Sequence, residues 1–132
     1  MGVNIAFVCN DNSCLSQIAQ TVLKYHFPNV GAHSGGSMIE KSINLDAKRV
    51  LESRGYGTTG LYPKHYSKLP PVDVLITIAA RSTASKIPHK YHEEWSVEDP
   101  SYQGDAVFNR VIDDIRNRIF NLMNTLKKKG MV

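Results

Sequence analysis

The stretch that decides how this chain is read is Cys9-Asn10-Asp11-Asn12-Ser13-Cys14-Leu15-Ser16. Before it, Asn4 to Val8 has the apolar, β-branched character of a buried strand, and after it Ile18, Ala19, Val22, Leu23 and His26 recur at three- and four-residue spacing. Serine is a preferred residue type at a helix cap, so this spacing predicts a helix over Ser16 to Phe27 with Ser16 at its start. A tight turn between strand and helix brings free backbone N–H groups and the positive end of the helix dipole to one point. Such a point seats a tetrahedral oxyanion without any charged side chain. The same field lowers the pKa of a thiol at the strand end, so Cys9 is expected to be ionised near neutral pH and aimed at the bound anion.

Working outward, further strands are predicted at roughly Val30 to Ser34 and Val72 to Ile78, with a fourth near His92 to Val97. Helices are predicted at Asn44 to Arg54 and Asp105 to Lys128. In the last of these, Phe108, Val111, Ile112, Ile115, Ile119, Leu122, Met123 and Leu126 form a broad apolar stripe that should close one face of a sheet. Alternating strands and helices imply an α/β fold with a four-stranded parallel sheet and helices on both faces. The length of 132 residues suits one domain spanning 1–132. Gly55 to Pro63 and the Pro70-Pro71 pair mark flexible connections inside that domain, not linkers between domains.

The loop is similar to the signature of the low-molecular-weight protein tyrosine phosphatases and the thioredoxin-coupled arsenate reductases, which is a cysteine, five residues, an arginine and a serine. Val8, Cys9, Asn12, Cys14 and Ser16 match, whereas the arginine position holds Leu15. Ala32-His33-Ser34-Gly35-Gly36 resembles the family's second-strand segment, Asn44 to Gly55 its second helix and Val72 to Ile78 its third strand. Glu94 to Pro100 resembles the segment that carries an acidic Asp-Pro pair, in the form found among the arsenate reductases. The likeness runs over nearly the whole chain.

That resemblance implies a set of roles. Cys9 would be the nucleophile, and Asp99 the acid and then the base, aimed by Pro100, although Asp-Pro also occurs as an ordinary turn. The backbone of Asn10, Asp11, Asn12, Ser13, Cys14 and Leu15 would bind the oxyanion, supported by Asn12, Ser16 and Ser34. Cys14 reads either as a packed hydrophobe or as a redox partner that closes a reversible disulfide with Cys9, an option the family implies. Leucine supplies no donor in place of the arginine's fork, so phosphatase activity is expected to be weak. Arg81, following the third strand, is a candidate compensating cation, with a solvated surface arginine as the plainer reading. The stretch from Ile78 to Pro88, where the arsenate reductases carry two relay cysteines, contains none.

Composition narrows the partners. The formal charge is +4, but Lys127, Lys128 and Lys129 carry three of those charges at the end of a helix, so nucleic acid is not expected as a partner. Two cysteines and five histidines without ligand spacing argue against a metal, and no cofactor is expected. No apolar run approaches a membrane span and no signal segment opens the chain, so a cytoplasmic location away from membranes is expected. The expected partners are a phosphate, arsenate or sulfate-like oxyanion, a phosphorylated small molecule or protein, and a thioredoxin-type reductant. Three functions stay open: a weak cysteine-dependent phosphatase, a thiol redox protein or arsenate reductase using Cys9 and Cys14, and a non-catalytic oxyanion or partner binder.

Overall fold

Alternate residues of a strand face opposite sides, so a strand apolar at every position must be covered twice. Asn4–Cys9 (β1) is such a strand, with Ile5, Ala6, Phe7 and Val8 fully buried. In the computed structural model, which describes residues 2–132, β1 lies inside a parallel sheet of order β2-β1-β3-β4. The other strands are β2 (Gly31–Gly36), β3 (Val74–Ile78) and β4 (Tyr91–Trp95), and the register pairs Cys9 with Gly36 and Val8 with Thr77. The expected α/β fold with a four-stranded parallel sheet is present.

The two faces are covered unequally. Ile5, Phe7, Cys9, Val74, Ile76 and Ile78 pack against α1 (Leu15–His26), α2 (Leu45–Ser53) and α3 (Asp105–Lys128) in one large core. The whole predicted stripe of α3, from Phe108 to Leu126, is buried in it. Ala6, Val8 and Leu75 face the other way and meet Val72, Ala80, Ala84 and Ile87. The helical cover on that side consists of two short 3-10 turns, Tyr66–Lys68 and Arg81–Lys86.

Boundaries move where long-range contacts set them. β2 runs two residues past the predicted Ser34, because Gly35 and Gly36 stay paired with Val8 and Cys9 up to the turn. Only glycine fits at Gly36, where a Cβ would lie 2.7 Å from the Asn10 carbonyl oxygen. α1 starts at Leu15, with Cys14 in the cap position and no side-chain cap, so Ser16 is not the cap. Its hydroxyl is used in the loop. α2 is one residue shorter at each end than the predicted Asn44 to Arg54, because Asn44 is its cap, with Oδ1 accepting the Ala47 N–H at 3.0 Å.

Candidate active site

Residues 9–16 curl over the carboxyl end of β1, and the curl is held from outside. The carbonyl oxygens of Asn10, Asp11 and Ser13 accept backbone N–H groups from Met38 (2.7 Å), Glu40 (3.1 Å) and Asn44 (2.8 Å). That of Asn12 accepts Gln17 Nε2 at 2.9 Å. With their carbonyls tied outward, successive N–H groups are left for the concave side. The Asn12 N–H reaches Cys9 Sγ at 3.3 Å, from a backbone with φ +54° that asparagine tolerates better than most residues.

The Asn12 side chain pins the curl in three places. Its Oδ1 accepts the Lys64 N–H at 2.9 Å and Gln17 Nε2 at 3.2 Å, which fixes the amide's orientation, and its Nδ2 donates to Ser16 Oγ at 2.8 Å. Ser16 Oγ therefore has its own hydrogen to direct at Cys9 Sγ, 2.8 Å away. A hydroxyl and an N–H both address one sulfur atom. This arrangement supports a thiolate and, once the sulfur is esterified, a leaving thiolate.

The other expected residues divide. Cys14 is buried next to the curl, close enough to Asp99 for that carboxylate to act on its thiol. The segment carrying Asp99 thus lies over the Cys14 side of the loop, with Asp99 exposed and its Oδ1 accepting the Ser101 N–H at 3.0 Å. Ser34 is not joined to the loop: its buried hydroxyl donates to Gln20 Oε1 on α1. Arg81 is exposed at the start of its 3-10 turn, and its charge is felt by His92 on β4. Leu15 is half-buried against the large core. Among the described residues no group of three or more histidines, cysteines or carboxylates is placed to hold a metal.

Comparison with known proteins identifies the family of the chain as a whole. A family model described as low molecular weight phosphotyrosine protein phosphatase matches residues 4–132. The chain belongs to this family. A glutaredoxin arsenate reductase of Synechocystis sp. is 27% identical over 131 residues, covering 90% of this chain and 95% of that protein. Among solved structures, the low molecular weight protein tyrosine phosphatase from T. tengcongensis superposes with a TM-score of 0.82 at 21% identity, covering 95% of this chain and 100% of the other. The tyrosine phosphatase Wzb from Escherichia coli K30, solved with sulphate, gives 0.79 at 18% identity, with 96% and 99% covered.

The Cys9 thiol is displaced in the direction opposite to the one its place at a helix N-terminus led us to expect, and the Cys14 thiol is raised as well. Burial pushes the Cys9 thiol above its ordinary value, and the Asp11 carboxylate pushes the same way, outweighing the Ser16 hydroxyl and the Asn12 N–H. Burial, followed by Asp99 and Asp11, pushes Cys14 up to about 12. With Leu15 in the arginine position, no side chain of residues 9–16 carries positive charge. A raised thiol pKa means that the neutral form dominates at pH 7. Cys9 alkylation by iodoacetamide is therefore expected to speed up by about tenfold per pH unit from neutrality upward, with no plateau below its ordinary value. A rate already flat at pH 7, lost in Cys9→Ser, would contradict this.

Two side chains, those of Gln17 and Asp11, were given no role by the sequence pattern. Gln17 links Asn12 to the Tyr62 carbonyl at 2.9 Å, so residues 62–64 form a wall of the loop from 45 positions away along the chain. The side chain of Asp11 had a visible signal, since it is the only acidic residue between Cys9 and Ser16.

Proposed function

We propose that Cys9 is the nucleophile of a weak phosphomonoesterase working through a phosphocysteine, on a loop that seats tetrahedral oxyanions. One observation carries this reading: the Cys9 sulfur sits inside the curl, 3.3 Å from the Asn12 N–H and 2.8 Å from Ser16 Oγ. The chemistry proceeds in two displacements. The Cys9 thiolate forms a bond to phosphorus as the ester oxygen leaves with a proton from Asp99; water, deprotonated by Asp99, then attacks phosphorus and releases inorganic phosphate and the thiolate. Sulfate in the related Wzb structure supports a site of this ligand class. Residues 1–132 act as one domain, supported by the single sheet and a family match over almost the entire chain.

Loss of the arginine impairs both displacements. Leu15 gives no fork for two phosphate oxygens, and the raised Cys9 pKa leaves little thiolate at pH 7. The same facts favour a second reading, oxyanion or phosphorylated-partner binding without turnover. They count against a dithiol cycle, because a Cys14 thiol pushed up to about 12 is a poor attacker. Two free cysteines suit a reducing compartment such as the cytoplasm, where a thioredoxin-type reductant keeps Cys9 competent.

The test is hydrolysis of an aryl phosphate by the reduced protein. Turnover well below that of arginine-bearing relatives, abolished in Cys9→Ser, is expected. Hydrolysis that survives Cys9→Ser removes the phosphocysteine, and turnover equal to those relatives removes the impairment.

A further inference from the structure

Asp11 brings a full negative charge into a loop built to receive one. Its Oδ1 accepts the Ser13 backbone N–H at 3.1 Å and lies 3.5 Å from Cys9 Sγ. A loop N–H and close approach to the sulfur are the two contacts that one oxygen of a tetrahedral anion over Cys9 would make. We propose that the Asp11 carboxylate is an internal competitor for the oxyanion seat, so that the loop discriminates by ligand charge and disfavours dianions relative to monoanions. This deepens the reading of residues 9–16 as an oxyanion loop and rests on it.

Three observations support the idea. Coulomb repulsion from a fixed charge grows in proportion to the ligand's charge, so a carboxylate beside the seat costs a dianion about twice what it costs a monoanion. No opposing charge lies within residues 9–16, since position 15 is leucine. Asp11 is also half-buried, and its carbonyl is held separately by the Glu40 N–H at 3.1 Å. The side chain can therefore swing out while the backbone curl keeps its shape. The influence of Asp11 on both thiols follows from the same position.

The experiment compares sulfate with perchlorate, tetrahedral anions that differ in charge at one pH, by following the backbone amide NMR signals of residues 10–16. In Asp11→Asn, which keeps the shape and removes the charge, sulfate is expected to bind at least about tenfold tighter than in the wild type, and perchlorate to gain clearly less. Asp11→Ala, which also frees the Ser13 N–H, should gain at least as much. Equal gains for the two anions, or none for sulfate, overturn the proposal. Leu15→Arg separates the two levels of inference. If Leu15→Arg binds sulfate and adding Asp11→Asn changes nothing, the role of Asp11 fails while the oxyanion loop stands. If the doubly substituted protein binds neither anion, both fail.

Discussion

Leu15→Arg is expected to raise Cys9-dependent hydrolysis of an aryl phosphate by about 10²- to 10³-fold, the usual worth of one preorganised donor at a developing oxyanion. Residue 15 is the first of α1 and directly follows Cys14, so a long side chain starting there begins at the rim of the curl. The gain has two sources. A guanidinium meets two equatorial oxygens in fork geometry and follows them into the transition state. Its charge also opposes the burial and the Asp11 carboxylate that now keep Cys9 protonated, so iodoacetamide should label Cys9 faster at pH 7 in this variant. A gain in hydrolysis without faster labelling would assign the effect to oxyanion binding alone. No gain in either would mean that the network around Cys9 has lost its catalytic geometry, and the phosphatase reading would fall.

Asn12→Ala is expected to cost about 2–4 kcal/mol of stability and lower Tm by about 10 °C, read by urea and thermal unfolding. Asn12 is fully buried, and its amide serves Ser16 Oγ, the Lys64 N–H and Gln17 Nε2 together. Removing it strands the Lys64 N–H and unties the 62–64 wall from the loop. Alanine must also hold φ near +54°, which costs a further ~1 kcal/mol. Asn12→Gly separates the two contributions, because glycine accepts that backbone freely yet makes none of the bonds. It should recover only the smaller part. If Asn12→Ala unfolds together with the wild type, Asn12 does not hold the loop.

Both expectations begin from letters visible in the chain, and the way they arise shows where sequence reading stops. The alternation of strands and helices, the stripe on α3 and the Cys9 to Ser16 turn were legible because periodicity and turn chemistry are local. Leu15 was legible for the same reason, as a departure at one fixed position. Ser16 shows the limit: its type suggests a cap, yet its hydroxyl lies between Asn12 and Cys9 and the helix starts one residue earlier. Ser34 lies near the loop in pattern but bonds to Gln20, because its side chain points toward α1.

By itself the sequence determined the element order, the parallel sheet and the identity of the thiol at its centre, since each follows from spacing within a few turns of chain. Only the tertiary structure decided that all three α-helices share one face, that residues 62–64 wall the loop, and that Cys9 is raised and not lowered in pKa. Those outcomes depend on desolvation and on contacts between residues tens of positions apart. No window of sequence records how deeply an atom is buried or which distant charge will face it.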